Sequence, residues 1–299
     1  MSEAPTHFLD PDAISRAESL GLQARYIVEG YMAGEHKSPY RGFAIEFAQH
    51  REYSHGDDLR HVDWKVLGRT DRYYVKQYEQ ETNYVAQLLV DGSESMQYGS
   101  GKVTKLHYAK MIAACLSYVI LHQGDAVALG LFDSEMRDYA PRSDNKSVIH
   151  SLISRLAAFQ GQKGTQIATV LHDVARQVRR KGIVILISDC FDDEQKILEG
   201  IQHLRFGGHE VILLHVLDPY ELDFPFQGMV EFQGLESLGV LQARPADIRR
   251  SYHLELEGFL NRLREGCERD QCHYFQVKTS QPLDEVLTAY LGFRLRTTR

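Results

Sequence analysis

Cysteine is scarce in this chain of 299 residues, and its scarcity excludes two structural classes. The four cysteines, Cys115, Cys190, Cys267 and Cys272, are too few for a disulfide framework, and none of their spacings forms the C-x-x-C pair of a zinc site. We therefore expect reduced thiols, as in a cytoplasmic protein.

A long hydrophobic run is also missing. The most apolar stretch, Met111 to Leu121, stops at His122 and is too short to span a bilayer. The first residues, Met1 to His7, lack the basic and apolar regions of a signal peptide. We therefore expect a soluble, cytoplasmic chain without a membrane span.

Basic charge is not in excess. The formal net charge is −7 and the acidic residues are spread along the chain, which argues against a general nucleic-acid binder. The composition that remains, 43% hydrophobic and 25% charged, is ordinary for a globular protein. It suits one large domain with an appendage, or two small domains.

From residue 84 onward, short apolar runs alternate with helical patterns. Such alternation is typical of βαβ units, so we predict an α/β fold with a doubly wound, mostly parallel sheet and helices on both faces. The predicted strands lie at 84–90, 126–132, 136–139, 183–187 and 211–217, and the predicted helices at 106–121, 147–159, 167–180 and 194–206.

The two ends of the chain break this alternation. Residues 12–33 have apolar side chains at helical spacing, and residues 72–78 are compatible with a strand. After residue 218 the pattern predicts a hairpin, a long helix, a strand and a last helix, at 229–243, from Pro245, near 274–277 and at 282–291. We therefore divide the chain into an N-terminal segment (1–83) packed on the main domain, the main domain (84–218) and a C-terminal extension (219–299) that completes it.

Aspartates follow four of the predicted strands: Asp91, Asp133, Asp189 and Asp218. Because the carboxyl ends of parallel strands meet at one edge of a sheet, a ligand site is expected there. Ser93 and Ser95 follow Asp91 in the same turn, and Thr165 lies in the loop before a predicted helix. Such oxygen ligands suit Mg²⁺ or Mn²⁺, although the two serines could instead cap a helix.

The order Asp91-x-Ser93-x-Ser95, then Thr165, then Asp189, resembles the metal-ion-dependent adhesion site of von Willebrand factor A domains. The resemblance covers about residues 84–218. It implies a von Willebrand factor A-like fold in which these segments converge, with Mg²⁺ or Mn²⁺ held by the same five residues.

The segment before the main domain sharpens the resemblance. Separated blocks that begin at Arg41, Glu46, Arg51, Gly56 and His61 look like the uncharacterised bacterial family catalogued as domain of unknown function 58. This resemblance extends over nearly the whole chain and implies association with MoxR-type AAA+ ATPases. Longer relatives carry N-terminal membrane helices, and their absence here favours a soluble form.

The same segment contains a charged block that allows two interpretations. We expect its alternating charges to form an ion-pair network that anchors the segment, and a partner-recognition surface is the alternative. The only tryptophan, Trp64, is expected to be a packing anchor. The charged residues are Asp57, Asp58, Arg60, Asp63 and Arg69.

Two sequence motifs of known enzyme classes are incomplete in this chain, each at specific positions. A phosphate-binding loop around Gly99 to Lys102 would need glycine at 96 and serine or threonine at 103, where Met96 and Val103 stand. Aspartyl-phosphate chemistry typically needs a second acid two residues after Asp91, and that position is Ser93. We find no catalytic constellation in the sequence.

We therefore expect a metal-dependent protein-binding module rather than an enzyme, an adaptor or co-chaperone that works with a MoxR-type AAA+ ATPase or its client. The alternative is a Mg²⁺-dependent hydrolase or phosphatase at the same site, with Asp133, Asp192 or Asp193 as the water activator. A scaffold with a vestigial ion site is a third possibility.

Overall fold

The structure, a computed structural model, describes residues 46–53, 66, 68–69, 72–79, 85–161, 164, 166–178, 180–233, 239–283 and 285–287. Near the start of this range, β1 (Glu46–Glu52) pairs antiparallel with β2 (Tyr74–Glu79). The predicted helix at 12–33 and all of the charged block except Arg69 lie outside the described residues.

Six strands form the main sheet, in the order β10-β7-β6-β3-β4-β5. All neighbours are parallel except β4 and β5, so β5 is an antiparallel edge strand. Counted along the chain, this is the doubly wound order 3-2-1-4-5-6 read from the β5 edge. The strands are β3 (Val85–Asp91), β4 (Ala126–Phe132), β5 (Met136–Ser143), β6 (Ile183–Ser188), β7 (Glu210–Leu217) and β10 (His273–Lys278).

Helices cover both faces of this sheet. In the described part of the chain they are α1 (Lys105–His122), α2 (Val148–Ala158), α3 (Ile167–Gln177), α4 (Glu194–Phe206), α5 (Pro219–Asp223) and α6 (Pro245–Arg269). A separate antiparallel pair, β8 (Val230–Gln233) and β9 (Val240–Ala243), stands between α5 and α6.

The central strands are apolar because both of their faces are buried. Every residue of β3 and β4 is buried, and successive side chains of a strand point to opposite faces. Leu88 accordingly joins the core under α1 and α2, whereas Leu89 joins the core under α3, α4 and α6. None of the described helices is both long and apolar enough to cross a bilayer.

The predicted α/β class, with a von Willebrand factor A-like doubly wound sheet and helices on both faces, is confirmed. Within the described residues, two predicted bounds differ from the structure by three residues or more. The helix that begins at Ile167 ends at Gln177 rather than at residue 180, since Val178 already has extended backbone. Strand β5 continues to Ser143 rather than Tyr139, beyond its apolar positions. The three-part division at 83/84 and 218/219 stays a prediction.

Candidate functional site

The sheet reverses its winding direction beside β3. From β3 the chain crosses through α1 to β4 on one side, whereas the later strands β6, β7 and β10 lie on the other side. Such a reversal opens a crevice at the carboxyl ends of the strands, where doubly wound folds bind ligands. Asp91 ends β3 and Asp189 directly follows β6, so both carboxylates lie at this crevice.

The turn after β3 brings three of the predicted ligands together. Asp91 is fully buried, and its Oδ1 accepts a hydrogen bond from the Ser93 N–H at 2.8 Å. Ser93 and Ser95 are buried as well, with their Oγ atoms 3.0 Å apart. From β6, Ser188 Oγ donates to Asp91 Oδ2 at 2.6 Å. Thr165, the fourth predicted ligand, lies outside the described residues.

The two serines do not act as helix caps, so that alternative interpretation is wrong. The 3₁₀ turn Glu94–Gln97 follows Ser93 without a side-chain cap hydrogen bond. The next helix, α1, is capped by Thr104, whose Oγ1 accepts from the His107 N–H at 3.2 Å. The hydroxyls of Ser93 and Ser95 therefore belong to the polar group around Asp91 and do not cap a helix.

Two glycines allow a second loop to approach this turn closely. A Cβ added to Gly161 would lie 1.6 Å from the carbonyl oxygen of Gly92, and a Cβ added to Gly92 would lie 2.3 Å from the Phe159 ring. A side chain at Gly161 would collide with the backbone of Gly92, and one at Gly92 would require the Phe159 ring to shift. Gln97 Nε2 donates to the Gly161 carbonyl at 3.1 Å, which ties the two loops together.

Asp91 is an anion in an unfavourable setting. Burial, followed by repulsion from Asp189, raises the pKa of Asp91 from 3.8 to about 7, although hydrogen bonds from Ser188 and Ser93 oppose the shift. No basic side chain within the described residues forms an ion pair with it. The group therefore favours a neutralising proton or cation beside Asp91.

Asp189, by contrast, has a cation of its own. Lys105 Nζ lies 2.8 Å from Asp189 Oδ2 and 2.5 Å from Glu221 Oε1, with only 3% of its side chain exposed. Burial alone would lower the pKa of Lys105, but the two carboxylates raise it above its ordinary value. The second Asp189 oxygen, Oδ1, accepts from the Phe191 N–H at 3.2 Å. Both oxygens of this predicted ligand are therefore engaged.

The buried His215 holds the backbone of Asp189. Burial lowers the pKa of His215 to about 4, so its ring is neutral near pH 7. Its Nε2 lies 2.8 Å from the Asp189 carbonyl oxygen, which can only accept, and its Nδ1 lies 2.8 Å from the Tyr274 hydroxyl. The ring therefore carries its proton on Nε2 and accepts from Tyr274.

The other two strand-end aspartates have structural roles. Asp133 forms an ion pair with Arg137 at 2.7 Å. Asp218 caps α5 and accepts from the Ser100 N–H at 2.9 Å and from Thr279 Oγ1 at 3.2 Å. Of the four aspartates singled out in the sequence, only Asp91 and Asp189 lie at the point where the strand order reverses.

The donor set around Asp91 is small for a divalent ion and relies on neutral oxygens. The described residues include no cluster of three or more histidine, cysteine, aspartate or glutamate side chains suited to a metal. A site at Asp91 must therefore rely on the hydroxyls of Ser93 and Ser95. One buried carboxylate with neutral oxygens fits Mg²⁺ or Mn²⁺, which accept such ligands and keep several waters.

Three functional residues were missed by sequence reasoning. Ser188 contacts Asp91 across 97 positions of the chain, Lys105 contacts Asp189 across 84, and Glu221 contacts Lys105 across 116. No local pattern reports such contacts. Lys105 gave one usable signal: a lysine in the first turn of an apolar helix opposes the helix dipole, so it needs nearby anions.

The strand order and the polar group at its reversal define a von Willebrand factor A-like α/β domain. The chain belongs to the family described as protein of unknown function DUF58, whose model matches residues 49–257. It is 26% identical over 233 residues to an uncharacterised protein of Mycobacterium tuberculosis, covering 76% of this chain and 72% of that one.

Solved structures with a similar course of the chain are also known. One is the conserved hypothetical protein BatB from Bacteroides thetaiotaomicron, with 16% identity and a TM-score of 0.47 over 71% of this chain and 99% of that one. Another is the SpRpn10 VWA domain, with 12% identity and a TM-score of 0.41 over 70% of this chain and 95% of that one.

Proposed function

We propose that this protein is a metal-dependent protein-binding module. In this proposal Asp91, Ser93, Ser95 and Thr165 hold Mg²⁺ or Mn²⁺ with waters, and a carboxylate of the partner protein completes the shell. The observation that carries it is the buried Asp91 carboxylate, which lies among hydroxyls at the strand reversal without a basic partner in the described part of the chain. A bound divalent ion would supply the missing positive charge.

Asp189 supports this site in the proposal, with each of its oxygens already accepting one hydrogen bond. Its Oδ2 is taken by Lys105 and its Oδ1 by the backbone of Phe191. Its negative charge nevertheless acts on Asp91, as the raised pKa of Asp91 indicates. We infer that Asp189 increases the attraction for a divalent ion through its charge, while Lys105 prevents the edge from becoming more anionic.

The partner we propose is a MoxR-type AAA+ ATPase or a client protein that it remodels. Support comes from the resemblance of nearly the whole chain to a family whose members are often associated with such ATPases. An adaptor of this kind must bind its partner reversibly. A metal ion allows this, because a water molecule in its shell can exchange with a carboxylate of the partner. The module would release its partner when the metal is removed.

The hydrolase alternative receives no specific support. Asp133 is held by Arg137. Asp192 Oδ2 accepts from the Ile167 N–H at 3.0 Å at the start of α3, and Asp193 caps α4. Each acid considered as a water activator therefore already has a structural task.

The test is affinity capture from the native extract and with the purified MoxR-type ATPase of the same organism, in Mg²⁺ and in EDTA. Asp91→Asn preserves the shape of the side chain but removes its charge, and Ser134→Ala changes a serine after the neighbouring strand β4. We expect capture by the wild type and by Ser134→Ala in Mg²⁺ only. Unchanged capture in EDTA or by Asp91→Asn would refute the mechanism.

Direct titration with Mn²⁺ separates a vestigial site from a working one. The metal alone should bind the wild type at one site and should not bind Asp91→Asn. If no divalent ion binds the wild type or raises its melting temperature, the third possibility, a scaffold without a working ion site, replaces this proposal.

A further inference from the structure

A cavity of about 460 Å³ lies beside the candidate metal site, between the loop after β6 and helix α6. Its floor is formed by the Lys105 ion pairs described above. Its walls are largely apolar, as in sites that receive a ligand side chain. The apolar lining consists of Phe191, Leu217, Tyr252, Leu256 and Phe259.

The wall contributed by α6 is preformed. Tyr252, Leu256 and Phe259 lie four and three positions apart, which places them on one face of the helix. The Tyr252 hydroxyl donates to the Glu221 carbonyl at 2.7 Å, and its ring stacks on Phe224 with centroids 4.3 Å apart. The cavity therefore exists without rearrangement of the fold, which reduces the free energy cost of binding.

The opposite wall is an aromatic side chain held at the surface by a strained turn. Phe191 is 53% exposed although it lies only two residues after the buried Asp189. The residue between them, Cys190, has a positive φ of 54°, a conformation that costs free energy for a residue with a side chain. Exposed aromatic side chains beside apolar pockets are frequent anchors of protein interfaces.

The charges around the cavity leave an anionic rim. Lys105 is neutralised by Asp189 and Glu221. Arg262, at the other end, pairs with Glu194 at 2.5 Å.

Two further acids, Asp192 and Glu255, line the cavity. Among the described residues, neither forms an ion pair. Within this part of the chain, Asp192 accepts only the backbone N–H groups of Ile167 and Asp193, which leave its charge without a cation. Glu255 acts on Arg262 only at longer range. An apolar cavity with such a rim is complementary to two adjacent side chains, one apolar and the other basic.

We propose that this cavity binds an extended segment of a partner protein in which an apolar side chain is adjacent to a lysine or arginine. The apolar side chain fills the space between Phe191 and Leu256, and the basic side chain pairs with Asp192 and Glu255. The inference rests on the proposed function in that it assumes a protein partner. It adds a second anchor that needs no metal.

The test uses a library of random peptides displayed on phage, selected against the full chain in EDTA. We expect enriched sequences to contain an apolar residue next to lysine or arginine. One enriched peptide, made with a fluorescent label, is then titrated against variants. Glu255→Lys should weaken its binding about tenfold or more, because like charges meet at the rim. Leu256→Ser should weaken binding as well, because the apolar contact is lost.

The matched control is Glu257→Lys, which makes the same change at an exposed residue of α6 that does not line the cavity. It should bind the peptide like the wild type. Circular dichroism checks the fold of each variant, and Glu255→Gln repeats the test without adding a positive charge. Enrichment of acidic sequences, no enrichment, or equal loss in the control would overturn the inference.

The outcome is separable from that of the proposed function. Peptide selection in EDTA reports on the cavity alone, and Mg²⁺-dependent capture with Asp91→Asn reports on the candidate metal site alone. Loss of one with retention of the other would show which of the two proposals fails.

Discussion

Replacing Lys105 by methionine should destabilise the fold much more than the loss of a lysine charge at the surface would. Methionine keeps most of the apolar stem of the lysine, so packing changes little. The ammonium group, however, is the cation shared by Asp189 and Glu221, and 98% of the Asp189 side chain is removed from solvent. Breaking a buried ion pair leaves an uncompensated charge and costs about 3–5 kcal/mol.

Urea unfolding followed by far-ultraviolet circular dichroism measures this loss. Lys102→Met is the matched control, since Lys102 lies three positions earlier and is exposed, and it should change the free energy of unfolding by no more than about 0.5 kcal/mol. The double variant Lys105→Met/Asp189→Asn should recover part of the loss because the unpaired anion is gone. The cycle should show a coupling of about 0.5–3 kcal/mol.

A loss below about 1 kcal/mol for Lys105→Met, the range of a surface ion pair, would refute the reasoning. Lack of recovery in the double variant would also refute it, since the loss would then come from packing and not from the uncompensated charge of Asp189.

Three further predictions concern the same edge. Mg²⁺ at a hundred times its dissociation constant should stabilise the wild type by about 2.7 kcal/mol in thermal unfolding, and should not stabilise Asp91→Asn. The pKa of His215 is lowered from 6.5 to about 4, so its contribution to stability is complete above pH 6.5 and is lost as pH falls towards 4. The wild type should therefore lose roughly 2 kcal/mol more than His215→Asn between pH 7 and pH 5 in urea unfolding, and equal losses would contradict this. Gly161→Ala should lower the free energy of unfolding by about 1–3 kcal/mol because its Cβ meets the Gly92 carbonyl, whereas Gly101→Ala, with open space around it, should not.

The sheet could be predicted because its signal is local and repeated. Strand β4 and helix α4 have the bounds that their apolar patterns indicated, Ala126–Phe132 and Glu194–Phe206. Elements without such a pattern were less well predicted. Strand β5 alternates exposed and partly buried residues and includes Pro141, which an edge strand tolerates, so its apolar part underestimates its length.

The candidate site likewise has one part that could be predicted from local sequence spacing and one part that could not. Asp91, Ser93 and Ser95 occupy one turn, and their grouping follows from two-residue spacing in the sequence. The partners that determine the electrostatics come from distant elements, such as Ser188 on β6. Only the strand order brings them to the same edge, and that order cannot be deduced from local periodicity. Sequence reasoning therefore named the oxygen atoms but missed the lysine.

That lysine changes what the two strand-end aspartates can do. If both carboxylates were free, the edge would attract any divalent ion strongly and hold it permanently. Because Lys105 offsets only part of the charge of Asp189 and is shared with Glu221, the demand for a further cation is greatest at Asp91, whose pKa near 7 would let a proton compete with a metal ion. Under the proposed function, a site of this kind would exchange its cation and would not hold it permanently. Such exchange suits a module that releases its partner when the metal is removed.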